Sequence, residues 1–287
     1  MQTLLQHTIA QDVSCVGVGL HSGAKVRMTL RPARENSGIR FIRKDVRGFD
    51  PEIQADFRNV TSTTLGTTLA NNEGTLVSTV EHLMAAFWGC NIDNAVVELD
   101  GPEVPIMDGS AEPFVFLIEC AGIAEQKAPR RVVEVLKSVE IIENDKHVSV
   151  VPADAFSVAL EIDFANKAIA NQHAVFRSSD ISFKSDLCRA RTFGFEHEVE
   201  KMREMGLARG GSLDNAIVVS GDKVLNKDGL RYRDEFVRHK ILDCIGDFYL
   251  AGGLILGKFS GYRSGHTLNN RLLHAFFADK SAWRLAS

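Results

Sequence analysis

Long hydrophobic runs are missing from this chain of 287 residues: the most apolar stretch, LAGGLILG at 250–257, falls far short of the roughly 20 residues that cross a bilayer. No transmembrane segment is expected. The opening MQTLLQHTIAQDV has neither a basic start nor an unbroken apolar core, so no export signal is read there and a cytoplasmic location is expected. Cysteine is scarce as well. The five cysteines, at 15, 90, 120, 188 and 244, are odd in number, widely spaced and form no Cys-x-x-Cys, which argues against a disulfide framework or a thiolate zinc site. Positive charge is not in excess either, with 33 Lys and Arg against 37 Asp and Glu. The basic residues are scattered, so the broad positive field of a nucleic-acid binder is absent. Low-complexity sequence is also lacking, which removes disorder as the organising theme.

What is present is an ordinary globular mixture, 45% apolar and 24% charged, in a chain long enough for two domains with a cleft between them. Alternating runs punctuated by Gly23, Pro32 and Gly38 predict strands, and 78–87 predicts a helix. A strand NAVVELDG follows, then a helix after Ser110 with Pro113 in its first turn and Gly122 past its end. The polar GIAEQKAPR predicts a linker, which puts a boundary near Lys127 and divides the chain into 1–127 and 128–287. Strands, a helix over 196–205, a strand NAIVVSG, a helix within 233–253 and a last helix from about Leu268 complete the second part. IDNAVVELDG and LDNAIVVSGD resemble one another and hint at halves of related build. The blocks do not alternate as βαβ units, so the fold class expected is α+β.

In RDEFVRHKILDCIGDFYLAGG, His239, Asp243 and Asp247 fall at four-residue intervals, on one face of a helix and apart from the stripe of Val237, Ile241, Ile245 and Phe248. Taken alone, that line fits an ion pair with a solvated aspartate as well as it fits two metal ligands one turn apart. In STVEHLMAAFWG, Glu81 stands three residues after Ser78, the spacing of a capping box. Its other reading is a general base beside the metal ligand His82. A His, His, Asp set leaves a fourth position open, as catalytic zinc sites do. His266 is either an ordinary loop histidine or a general acid whose charge Asp247 supports. Thr192 could offer a hydroxyl to an oxyanion. GVGLHSG does not follow the G-x-G-x-x-G spacing and reads as a hairpin. IMDGSAEPF reads as an Asp-Gly turn with a helix cap.

Taken together, GVGLHSG, STVEHLMAA, PIMDGSAEPF, RARTFGF, FVRHKILDCIGD and SGHTLNN, in this order over nearly the whole chain, resemble the UDP-3-O-acyl-N-acetylglucosamine deacetylases, zinc amidases of lipid A synthesis in Gram-negative bacteria. The resemblance implies a two-domain sandwich, each domain a sheet, with the helices packed between the sheets. It also implies Zn²⁺, with Fe²⁺ as an alternative, held by His82, His239 and Asp243. Glu81 would be the base, His266 oriented by Asp247 the acid, and Thr192 an oxyanion donor. Lys240, Phe193, Lys146, Phe164, Arg263 and His21 would meet the UDP-linked acylated amino sugar. An insert between about Glu196 and Val219 would form an acyl passage, with Val199, Met202, Leu213 and Val218 as candidate lining. No nucleic-acid partner is implied, a place close to the inner membrane is compatible with the lipid substrate, and a monomer is expected.

Overall fold

The computed structural model describes residues 4–178 and 183–286. Its helices are α1 (Glu81–Gly89), α2 (Glu112–Ala121), α3 (Phe183–Asp186), α4 (Glu196–Glu204), α5 (Glu235–Tyr249) and α6 (His266–Ala278). Two larger sheets accompany them, so the α+β expectation holds. The first has five strands in the spatial order Val13–Val18, Lys25–Pro32, Ala95–Leu99, Ile39–Arg43 and Glu52–Gln54. Its first two strands form the antiparallel hairpin read from GVGLHSG, pairing Val13 with Leu30 through to Val18 with Lys25. The second has seven strands and is organised by the long strand Leu254–Tyr262. That strand runs antiparallel to Lys146–Pro152 on one side, and parallel to Val132–Val135 and then Ser157–Asp163 on the other.

Helices α1 and α5 fill the space between the sheets because their sequences offer no clean polar face. In α1 every residue from Glu81 to Phe87 is buried, and in α5 thirteen of fifteen are. α2 packs on Val13–Val18, α1 on α2 and α5, α5 on Ser157–Asp163 and Asn171–Arg177, and α6 on Val139–Glu143 and Lys146–Pro152. A Phe248–Phe259 stack, with centroids 4.1 Å apart, seats α5 on the second sheet. The polar line and the apolar stripe of α5 are therefore both buried, one against α1 and the other against the sheet. One crossing point sets the distance between the two helices. A Cβ on Gly246 would stand 2.0 Å from the Glu81 carbonyl oxygen, so only glycine lets α1 rest on α5 one residue before Asp247.

Several local expectations change. GIAEQKAPR is not an irregular linker: Ile123–Pro129 is a strand pairing antiparallel with Leu5–Ile9, and its residues alternate between exposed and half-buried, so Lys127 lies inside a regular element. Ser78 does not cap α1. Val80 occupies the cap position, Ser78 accepts from the Thr68 hydroxyl, and the Glu81 carboxylate turns instead to the Thr67 backbone. The last helix starts at His266 rather than near Leu268. The similar segments at 92 and 213 take different positions: Ala95–Leu99 is central in the five-stranded sheet, whereas Ile217–Ser220 belongs to a separate three-stranded sheet with Phe193–Phe195 and Lys223–Val224.

Candidate metal and catalytic site

One turn of α5 carries His239 and Asp243, and the first turn of α1 delivers His82 opposite them. His239 Nε2 lies 3.3 Å and His82 Nε2 3.5 Å from Asp243 Oδ1, and the two imidazoles meet edge to face at 4.9 Å. One donor atom from each residue lies within 4.8 Å of the others. All three residues are buried, yet Asp243 Oδ1 has no hydrogen-bond partner, a costly state for a desolvated carboxylate unless a cation meets it. His239 Nδ1 faces the Ala190 carbonyl at 3.0 Å and donates to it, which leaves the Nε2 lone pair toward the cluster. Burial pushes His239 down to about 3, so its ring is neutral at physiological pH, as a ligand must be. Burial works to raise the Asp243 carboxyl, but the imidazoles and the Lys240 ammonium around it hold it well below its usual range. Lys240 Nζ donates to Asp243 Oδ2 at 2.8 Å and leaves Oδ1 free. Two imidazoles and one carboxylate with an orphaned oxygen fit a single transition-metal ion.

A second group adjoins the first. Asp247, one turn after Asp243, accepts from His266 Nδ1 at 2.8 Å, and His266 Nε2 then points to the cavity, 3.9 Å from both Glu81 Oε1 and Asp243 Oδ2. Burial would lower His266, but the Asp247 carboxylate and its hydrogen bond, with Glu81 and Asp243 nearby, raise it to about 9. Burial also raises the Glu81 carboxyl, against the pull of His266 and His82. A basic carboxylate thus faces a charged imidazolium across the opening beside the ligand cluster.

These groups wall a cavity of about 360 Å³ that Thr192, Phe193, Lys240, Lys146 and Arg263 also line. Thr192 is fixed by its backbone, its N–H donating to the Gly109 carbonyl and its carbonyl accepting from Ile217. Beside it, Arg191 forms a two-point ion pair with Glu235, the first residue of α5, at 2.9 and 3.1 Å. Arg263 also reaches Asp145 in an ion pair at the rim. Thr192, Phe193, His239 and Lys240 border a second chamber as well, about 520 Å³ in volume, lined by His21, Phe164, Leu213 and Val218 and by Val199 and Met202 of α4. Every site residue expected from the sequence lines one of these spaces except Asp247, which stands behind His266.

Four residues that the sequence reading missed hold the arrangement together. Thr67 and Asn269 both donate to Asp247, at 2.6 and 2.8 Å. Glu103, 1% exposed, accepts from the His21 and Ser22 backbone, the Ser22 hydroxyl and the Thr79 hydroxyl. Thr79, two residues before Glu81, has φ 58°, a strained value for a β-branched residue, and Glu103 holds it there. Glu103 stands in GPEVPIMDGS, where only its proximity to a motif marked it. Asn269 stands within SGHTLNN, three residues past the singled-out His266, and nothing local signalled Thr67.

The family described as "LpxC: UDP-3-O-acyl N-acetylglycosamine deacetylase" matches residues 6–278. A protein of Phenylobacterium zucineum (strain HLK1) named UDP-3-O-acyl-N-acetylglucosamine deacetylase is 50% identical over 282 residues, covering 98% of this chain and 96% of the relative. One of the same name from Shewanella baltica (strain OS155) is 49% identical over 288 residues, 99% and 93% of the two chains.

Proposed function

The chain belongs to the UDP-3-O-acyl N-acetylglycosamine deacetylase family, and on that premise we propose that it hydrolyses the acetamide of UDP-3-O-acyl-N-acetylglucosamine at a single Zn²⁺ held by His82, His239 and Asp243. Zinc suits two imidazoles and a carboxylate in a site that keeps a position open, and iron(II) is the alternative occupant. When bound, the ion supplies Lewis acidity that acidifies water and polarises a carbonyl.

The protein's own groups carry the protons. Glu81, made more basic by burial, takes the proton of the attacking water. Thr192 offers a hydrogen bond to the oxyanion that develops on the carbonyl oxygen. His266, held charged by Asp247, gives its Nε2 proton to the departing sugar amine as acetate leaves. Without that proton the amine is too basic to depart. Lys240, Lys146 and Arg263 supply positive charge for a diphosphate, with Phe164, Phe193 and His21 beside the uridine and sugar. Leu213, Val218, Val199 and Met202 line the passage for the acyl chain. In this reading 1–127 contribute base and one ligand, and 128–287 contribute two ligands and the acid. Among the described residues no helix is long and apolar enough to cross a membrane, and the reaction is assigned to the cytoplasm, where UDP-sugars are made.

The observation that carries the proposal is the unpartnered Asp243 Oδ1 between two imidazoles, with Glu81 and His266 facing it. The test measures acetate release from the UDP substrate together with metal content. Glu81→Ala is expected to abolish turnover with about one metal still bound per chain. Full activity in that variant, or a metal-free wild type that turns over normally, would overturn the assignment.

A further inference from the structure

Thr67 is bonded to both halves of the proton-transfer pair. Its backbone N–H donates to Glu81 Oε2 at 2.9 Å, and its hydroxyl donates to Asp247 Oδ1 at 2.6 Å while lying 3.2 Å from His266 Nδ1. The residue is 2% exposed, so water does not compete for these bonds. Both Asp247 oxygens are therefore bonded: Oδ1 takes the Thr67 hydroxyl, and Oδ2 takes His266 Nδ1 and the Asn269 amide.

From this we infer that Thr67 is a positioning residue for the deacetylation, one that sets the orientation of the acid and the base relative to each other. The inference rests on the roles proposed for Glu81 and His266. The backbone bond occupies Oε2 of Glu81 and turns Oε1 toward the cavity, on the side where His266 Nε2 stands 3.9 Å away. The hydroxyl fixes the plane of the Asp247 carboxylate, and that plane sets the tilt of the imidazole bonded to it. Without the hydroxyl, Asp247 Oδ1 would be buried with an unfilled acceptor site, and the carboxylate would rotate to find another donor. Thr67 sits on the segment between the short strands Val60–Ser62 and Thr68–Ala70, and its N–H and hydroxyl reach helices α1 and α5 respectively.

The test separates hydroxyl from methyl. Thr67→Val keeps the shape and loses the donor, and Thr67→Ser keeps the donor and loses the methyl. Thr67→Val is expected to lower kcat about 10- to 100-fold, the range typical of lost supporting partners, with KM within about threefold and metal content unchanged. Thr67→Ser is expected to stay within about threefold of wild type in kcat. A low-field imidazole proton in the NMR spectrum, identified by its loss in His266→Gln, is expected to shift in Thr67→Val and to stay in Thr67→Ser. Should Thr67→Val fail to fold, Thr67→Ala against Thr67→Ser is read the same way. The inference is overturned if Thr67→Val retains kcat within about twofold, or if Thr67→Ser falls as far as Thr67→Val. A wild type that releases no acetate would instead refute the function itself, while the NMR comparison still reads the bond.

Discussion

The two chambers that meet at His239 and Lys240 are built by opposite rules. The polar one lies among α1, α5 and α6, whose Glu81, His82, His239, Asp243 and Asp247 are all buried. The apolar one is walled partly by α4, in which no residue is buried, by a three-stranded sheet, and by Leu213 from outside that sheet, 46% exposed. The contrast shows what each task requires. Proton transfer and metal binding need charges held in a low-dielectric interior at fixed positions, and that needs surrounding packing. The passage proposed for a hydrocarbon tail would need only apolar surface of the right width. Inside the polar chamber a second contrast appears, since two histidines differ in charge: His239 is pushed down to about 3 and His266 up to about 9. The difference comes from Asp247, which bonds His266, whereas His239 donates to a neutral carbonyl.

That contrast can be broken or sharpened by experiment. The largest effect is expected from Asp247→Asn, which removes the charge that raises His266. The rate should fall about 10²- to 10⁴-fold, the range of general acid catalysis, and the alkaline limb of kcat/KM should move to lower pH because the acid form is lost sooner. A pH–rate profile decides it, and an unmoved limb would contradict the assigned acid. Next, Gly246→Ala drives a methyl into the Glu81 carbonyl and should cost about 1–3 kcal/mol in stability, with weaker metal retention as His82 is displaced. Thermal melts and metal analysis read both. Third, the two histidines should act oppositely on the stability of metal-free protein. His239 folds with a depressed value, so stability falls as pH drops from about 6.5 toward 3. His266 folds with a raised value, so its contribution is complete below about 6.5 and is lost as pH rises through 9. Denaturant midpoints across pH are expected to lose the alkaline fall in His266→Gln and to keep the acid one. The smallest effect belongs to the apolar chamber: Leu213→Ala should raise KM for a long-chain substrate by roughly tenfold or less, with kcat and metal content unchanged. A kcat loss equal to that of Asp247→Asn would erase the distinction between the chambers.

Features that depend on short-range spacing were legible in the sequence. Helix geometry makes His239, Asp243 and Asp247 a line whatever surrounds them, and the hairpin, α2 with Pro113 and Gly122, and α4 follow from turn chemistry and periodicity. The local reading failed where two local signals competed. Ser78 and Glu81 have capping-box spacing, but the strained Thr79 lies between them and turns the chain, so the carboxylate bonds the Thr67 backbone instead. GIAEQKAPR looked like a linker because it is polar and holds a Pro, yet its exposure alternates as in a half-exposed strand.

The sequence by itself determined which residues can do chemistry, because side-chain type and helical repeat are properties of the chain, and its ordered motifs determined the family. Tertiary structure decided that His82 meets His239 and Asp243, that the polar line of α5 is buried against α1 rather than solvated, and that one histidine is neutral while another is charged. The first two outcomes depend on contacts between α1 and α5, some 160 residues apart, made where Gly246 lets two backbones touch, and the third on Asp247 meeting His266 and His239 meeting the Ala190 carbonyl. Long-range approach of this kind is set by packing and desolvation, and neither has a signature within any one stretch of sequence.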